Sequence, residues 1–214
     1  MKLRTMKNNE INKKIDKLKN NKDSVAIFDF DYTLTLSSSN SSIGVFSNYL
    51  PESYRSKKRK IDFITNHIRN KHIIKLMWWL KIRLLSKYYS NKVLESIEYQ
   101  EEFHLNKNTI NILNDLINNN VDVIIYSSGM KQIIINVLKL NNIDIKRLNI
   151  IANDIDISTK RIKSKIITPK NKRLNNSKYS YVILFGDKNE DLKVVKNATK
   201  FKVNDNRIEL YGGD

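Results

Sequence analysis

The sequence contains no cysteine. Disulfides and thiolate-ligated metal sites are therefore excluded, and a reducing compartment is permitted. Proline is nearly absent as well: Pro51 and Pro169 are the only two, and both fall in stretches that read as loops. No apolar run is long enough to span a membrane. The longest, IIKLMWWLKIRLL at residues 73–85, is interrupted by Lys75, Lys81 and Arg83 and falls well short of the ~20 residues a spanning helix needs. The opening MKLRTMKNNEINKKIDKLKN lacks the continuous apolar core of a secretory signal. No internal repeat is evident. Acidic residues are scarce beside basic ones, 22 Asp and Glu against 39 Lys and Arg, for a formal net charge of +17.

That charge raises nucleic acid as a partner. The lysines, however, are spread from end to end, densest at SKKRK (56–60) and KRIKSK (160–165), and no aromatic residues interleave either run. A base-stacking platform is not signalled. An anionic small substrate fits the charge equally well.

What is present is enough for one domain carrying a modest insertion: 214 residues, 40% of them hydrophobic. Ile11, Ile15 and Leu18 stand at helical spacing and predict a short basic amphipathic helix. Three segments read as buried parallel strands: VAIFDF (25–30), VDVIIYS (121–127) and YVILFG (181–186). LNIIAN (148–153) and TKFKVN (199–204) are weaker candidates. Helical patterns lie between them at 109–119, 130–140 and 190–197. Strands alternating with helices predict an α/β fold with a doubly wound, mostly parallel sheet. Residues 37–104 break that rhythm. After the lead-in SSSNSS they are helical, basic and aromatic, and predict a small helical cap inserted after the first core strand, with 1–36 and 105–214 forming the core. Within that cap, Ile74, Met77 or Trp78, Lys81 or Ile82, and Leu85 follow helical periodicity and favour a packed helix. A membrane-surface helix is the sharper reading of the same Trp-bearing, basic stretch.

Ligands in open α/β sheets gather at the carboxyl ends of strands. The first strand delivers Asp29 and Asp31 there, and a period of two would aim both side chains to one side. The second delivers Ser127, Ser128 and Gly129. The third delivers Gly186, Asp187 and, four residues on, Asp191, with Lys170 and Lys172 shortly before it. Carboxylates crowded at one site repel unless a hard cation joins them. Mg²⁺ takes oxygen ligands and binds phosphate alongside one or two carboxylates. A lysine, a serine and a helix N-terminus would hold the phosphate. The inventory is that of a phosphoryl-transfer site.

DFDYT, VIIYSSG, the Asn171–Lys172 pair and FGDKNED occur in the order of the four motifs of the haloacid dehalogenase superfamily, and the chain resembles its phosphatases. The likeness covers about two thirds of the chain. It implies that Asp29 is the nucleophile, forming an aspartyl-phosphate, and that Asp31 is the acid/base. Ser127, Ser128 and Lys172 would bind the phosphoryl group, with Lys170 the alternative lysine. Mg²⁺ would be held by Asp29, Asp31 (through its backbone carbonyl), Asp187 and Asp191, and Thr33 would order the loop carrying Asp31. A carboxylate at Asp31 resembles the phosphatases rather than the ion transporters or dehalogenases of the superfamily. The insertion sits where the superfamily places a mobile lid, and small lids imply a small phosphorylated metabolite.

Within the superfamily the chain is most similar to the cytosolic pyrimidine 5′-nucleotidase type, then to phosphoserine phosphatase. This implies a cytoplasmic enzyme acting on a nucleoside 5′-monophosphate or a similar substrate. The nucleotidase type uses an acidic lid residue for the base; in RKIDFITNHIRNKHIIK (59–75) Asp62 is the only acid. A basic module binding nucleic acid or membrane, or a phosphatase of nucleic-acid ends, are the alternatives. His67, His72 and His104 show no ligand spacing and read as surface or packing residues.

Overall fold

A computed structural model describes residues 8–68, 70–163, 165–168 and 174–212. Six strands form one sheet: β1 (Ser24–Phe28), β2 (Asp122–Met130), β3 (Leu148–Asn153), β4 (Tyr181–Gly186), β5 (Thr199–Val203) and β6 (Ile208–Leu210). Their spatial order is β3-β2-β1-β4-β5-β6. All neighbouring pairs are parallel except β5 with β6. β6 has no counterpart in the sequence reading; at three residues it is too short to show a period.

β1 is central and every one of its residues is buried, as a parallel strand covered on both faces requires. Ala26 and Phe28 enter the larger core, which also takes the apolar stripes of α1 (Asn8–Lys19), α7 (Lys107–Asn118) and α8 (Lys131–Leu140). Val25 and Ile27 enter a second core closed by Ile167, Leu192, Val194 and Val195. Phe28 stacks on Phe185 at 4.5 Å and Phe185 on Phe201 at 5.2 Å, so three rings tie β1, β4 and β5 together on one face. Each such ring contributes about 2–3 kcal/mol of burial. α1 is the amphipathic helix expected at the N-terminus: Ile11, Ile15 and Leu18 are buried in the larger core, and Lys19 bonds Asp115 of α7 at 2.6 Å.

Two expectations are corrected. β1 stops at Phe28, not at residue 30, because the Phe30 carbonyl accepts the amides of Thr33, Leu34 and Thr35 and bends the chain into a turn. Asp31 is thus placed by a turn, not by strand alternation. The helix read at 190–197 is only a single 3₁₀ turn, Asp191–Lys193. Beyond it the Val194 carbonyl accepts from the Leu174 amide at 3.2 Å and Asn197 takes a left-handed φ of 53°.

Between β1 and α7 the chain is helical: α2 (Ser42–Asn48), α3 (Glu52–His67), α4 (Lys71–Tyr88), α5 (Asn91–Ser96) and α6 (Tyr99–Glu102). It leaves and returns through paired connectors. Thr35 bridges Leu105, the Leu36 amide donates to the His104 carbonyl at 2.7 Å, and the Asn106 amide donates to the Leu34 carbonyl at 2.9 Å. α3 and α4 form an antiparallel hairpin, fixed by Tyr54 on Tyr88 and by Asp62, which takes both Lys58 (2.6 Å) and Lys81 (2.7 Å). In α4, Ile74, Ile82 and Leu85 are buried and Trp78 packs against the core, as the periodicity predicts. Pro51 sits at the loop-to-α3 boundary. Among the described residues no helix is long and apolar enough to cross a membrane.

Candidate active site

The site forms where three parallel strands end together. Phe28 is in register with Phe185 of β4 and Ile125 of β2, so the residues just beyond are neighbours at the ~4.8 Å spacing of strands. The Asp29 amide still donates to the Phe185 carbonyl at 3.0 Å, extending the ladder by one residue and holding a carboxylate that is only 7% exposed. Asp187 follows β4 directly, and Asp191 returns to the same place in the 3₁₀ turn. One carboxylate oxygen from each of Asp29, Asp187 and Asp191 lies within 4.8 Å of the others. Gly186 makes this approach possible: a Cβ there would stand 2.8 Å from the Asp191 Cβ.

Three charges this close repel by on the order of 3 kcal/mol per pair. Burial pushes the Asp187 carboxyl up to about 6; Asp191 adds to the rise and Lys188, 3.6 Å away, opposes it. Asp187 Oδ1 is buried without a hydrogen-bond partner among the described residues. A buried acceptor in that condition is costly. A hard divalent cation satisfies the orphaned oxygen and the repulsion at once, and the all-oxygen donor set is what such a cation takes. The residues fit a metal.

Asp31 stands apart from this carboxylate cluster. Its two oxygens accept from Ser42, one from the amide (2.8 Å) and one from the hydroxyl (3.2 Å). The Ser42 hydroxyl accepts in turn from the Met130 amide at 3.2 Å. Gly129 sits among these groups: a Cβ there would meet Ser42 Oγ at 2.1 Å, Ser127 Oγ at 3.1 Å and Asp31 Oδ2 at 3.2 Å. Three side-chain oxygens therefore converge on a position only glycine can occupy.

Ser127 is 1% exposed, and its hydroxyl oxygen accepts from the Gly129 amide at 2.9 Å, leaving its proton to donate. It does not cap a helix; α8 starts after Met130, where no side chain caps. Ser128 is half-buried, and its carbonyl accepts from the Asn153 amide group at 2.6 Å. The same Asn153 bonds the Ile167 carbonyl (2.9 Å) and amide (2.9 Å). It locks the end of β3 to the segment at 165–168. Lys170 and Lys172 lie outside the described residues.

Tyr32 adopts φ 66°, a conformation bulky residues rarely take. Its amide donates to the Thr35 hydroxyl at 2.8 Å. The Thr33 hydroxyl is buried without a hydrogen-bond partner among the described residues, while the Thr33 carbonyl accepts from the Thr109 hydroxyl at 2.7 Å. The bonds that shape this turn run through backbone groups and Thr35. Beside Asp187 a cavity of about 840 Å³ opens, with Tyr32, Asp187, Lys188, Lys202, Asp205 and Arg207 in its wall, a lining of mixed charge. Lys188 lies over the Tyr32 ring at 4.8 Å. His67, His72 and His104 are all exposed.

Ser42 and Asn153 escape a sequence reading, as does the part Gly129 plays at the end of β2. Ser42 ends a low-complexity SSSNSS run in which every serine looks alike, and Gly129 and Asn153 matter only through residues distant in the chain.

Solved structures similar to this chain share its architecture. Cytosolic 5′-nucleotidase IIIB, in a crystal structure bound to cytidine, aligns with a TM-score of 0.69 at 16% identity, over 92% of this chain and 80% of that one. DsGPDH of Dunaliella salina aligns at 0.51 and 15% identity, over 83% of this chain but 30% of that one. The hydrolase t0658 from Salmonella enterica serovar Typhi aligns at 0.50 and 13% identity, over 80% and 59%. No curated protein sequence matches significantly. The family model of haloacid dehalogenase-like hydrolases matches residues 26–202, from the third residue of β1 to the fourth of β5, and the chain belongs to that family.

Proposed function

We propose that the protein is a Mg²⁺-dependent phosphomonoester hydrolase that acts through an aspartyl-phosphate at Asp29 on a small phosphorylated metabolite. The observation that carries this reading is the trio Asp29, Asp187 and Asp191 at the carboxyl ends of β1 and β4, with the buried Asp187 oxygen lacking a partner among the described residues. Asp29, Asp187 and Asp191 would hold the ion through their carboxylates, and Asp31 through its backbone carbonyl. When bound, Mg²⁺ supplies positive charge that draws the phosphoryl oxygens in and offsets the carboxylates.

Asp29 attacks phosphorus and the ester oxygen departs, which splits one hard displacement into two easier ones. Asp31 gives its proton to the leaving oxygen and later takes one from the attacking water. Ser42 aims the Asp31 carboxylate for both transfers. The Ser127 hydroxyl donates to a phosphoryl oxygen, with Ser128 beside it and Lys172 neutralising charge. Thr33 helps hold the turn that carries Asp31.

Residues 37–104 act as a lid on a core formed by 1–36 and 105–214; the paired connectors at 35–36 and 104–105 join the two, and Ser42, Tyr89 and Tyr99 bond Asp31, Gln132 and Asn136 of the core directly. Lids exclude water and select substrate. The similarity to a nucleotidase bound to cytidine puts nucleoside 5′-monophosphates first among candidate substrates. Asp62, the sole acid in its stretch, is engaged by Lys58 and Lys81, so base recognition would rest on other groups.

The test is phosphate release from an aryl phosphate, then from a panel of nucleotides, phosphosugars and phosphoamino acids, with and without Mg²⁺. Asp29→Asn should abolish turnover while the fold persists. Retained Mg²⁺-dependent turnover in that variant would remove the mechanism.

A further inference from the structure

α4 is apolar on two opposite faces, and only one of them is covered. Ile74, Ile82 and Leu85 face inward. On the other side Ile73, Leu76 and Leu80 follow one another at helical spacing, with Trp79 alongside, and all four are exposed, Leu76 by 52%. Phe63 (65% exposed) and Ile64 add to the surface from α3 near the hairpin's tip. Among the described residues these six are all but one of the exposed large apolar side chains of the whole chain. Their concentration on one hairpin is the kind of patch that marks an interaction site rather than scattered surface apolarity.

The charge around the patch is one-sided. Residues 52–88 contain 11 Lys and Arg against two acids, and α4 carries five bases and no acid. Both acids are spent within the hairpin, Glu52 on Arg55 and Arg59 and Asp62 on Lys58 and Lys81. Arg83 lies over the Trp79 ring at 5.1 Å. Where the stripe meets the core, a pocket of about 520 Å³ is lined by Trp79, Arg83, Lys87, Thr159, Lys160 and Arg161, with no acid among the described residues of its wall. Lys160 is held in place by donating to the Tyr89 carbonyl.

We propose that this face, the outer stripe of α4 with the four-cation pocket beside it, docks the protein on the surface of an anionic phospholipid bilayer. Charge decides between occupants. A second copy meeting the same face through a two-fold axis would set two strongly basic surfaces together. A nucleic acid would satisfy the cations but bury none of Ile73, Leu76 and Leu80. An anionic bilayer does both: aliphatic side chains and Trp sink to the headgroup boundary while Lys and Arg meet lipid phosphates. The pocket has room for a headgroup phosphate among Arg83, Lys87, Lys160 and Arg161.

The experiment is co-sedimentation of the full chain with vesicles of phosphatidylcholine alone or phosphatidylcholine mixed with phosphatidylserine. Binding is expected only to the mixed vesicles and should weaken as salt rises. Leu76→Asp with Leu80→Asp, and separately Arg83→Ala with Lys87→Ala, should each lower the partition coefficient by about tenfold or more. Both pairs are solvent-exposed, and an unchanged circular dichroism melt shows that loss of binding is not loss of fold. Absence of sedimentation, or equal sedimentation of all variants, overturns the proposal. So does a concentration-dependent dimer that the Leu76/Leu80 variant abolishes, or tighter binding to duplex DNA than to mixed vesicles. None of these readouts depends on phosphatase activity.

Discussion

The carboxylate of Asp31 is held by the first residue of α2: the Ser42 amide donates to one oxygen at 2.8 Å and the Ser42 hydroxyl to the other at 3.2 Å. Asp31 belongs to the turn after β1 and Ser42 opens the inserted helices. One pair of bonds thus joins the proposed acid/base to the proposed lid. Ser42→Ala keeps the amide bond and loses the hydroxyl bond. In steady-state hydrolysis of an aryl phosphate, kcat should drop by about tenfold with little change in KM, since positioning of a proton-transfer group is what is lost. A purely structural role for Ser42 would instead lower the melting temperature and leave kcat intact.

Gly129→Ala forces a methyl to 2.1 Å from Ser42 Oγ and close to Ser127 Oγ and Asp31 Oδ2. Turning the Ser42 hydroxyl away relieves the 2.1 Å contact but gives up its bonds with Asp31 and the Met130 amide. We expect a loss of about 1–3 kcal/mol in chemical denaturation and turnover reduced more than in Ser42→Ala. Wild-type activity in this variant would mean that the convergence of these groups is incidental.

Metal-free protein should lose stability as pH rises from about 4 through 6. Asp187 has a folded pKa of about 6, above its unfolded value, so the folded state binds more protons across that window. Its protonated form is fully present below the unfolded pKa, and the advantage is gone once pH passes the folded one. The contribution is about 3 kcal/mol at most. Mg²⁺ at neutral pH should reverse the loss, and Asp187→Asn should stabilise the metal-free protein while erasing most of the Mg²⁺ response. Thermal melts at several pH values with and without the ion measure both.

Asp62 behaves in the opposite sense. Burial raises its pKa, but hydrogen bonds from Lys58 and Lys81 overcome this and hold it below the usual value. Its stabilising contribution is present above the unfolded pKa and fades as pH falls through the folded one. Burial lowers the pKa of Lys81 despite the bond it donates to Asp62, so losing the carboxylate strands a desolvated ammonium. Asp62→Asn should destabilise by about 2 kcal/mol at neutral pH, less than a fully buried pair because Asp62 retains some solvent. Lys81→Met together with Asp62→Asn should recover much of that, as a double-mutant denaturation cycle would show.

Much of the architecture was legible in local pattern. Strand β3 and strand β4 begin and end where their branched and aromatic runs do, because an apolar run bounded by turn residues has few other ways to be buried. α1 was legible from Ile11, Ile15 and Leu18. The acids at the ends of β1 and β4 were legible because a charged residue behind a buried strand has to meet something. The helix read at 190–197 shows the limit: its spacing is helical, but only the turn Asp191–Lys193 forms, and the Val194 carbonyl is bonded by Leu174, distant in the chain. No window of sequence contains that contact.

The sequence by itself determined which segments are buried, and that Asp29 and Asp187 follow the ends of buried strands with Asp191 four residues on. These follow from side-chain periodicity and the cost of burying charge, both local properties. Only the tertiary structure decided that Ser42 holds Asp31, that Gly129 must be bare, and that of α4's two apolar faces one is left open to solvent. The reason is physical: a periodic pattern names the faces of an element, but which face finds a partner depends on contacts between residues far apart in the chain.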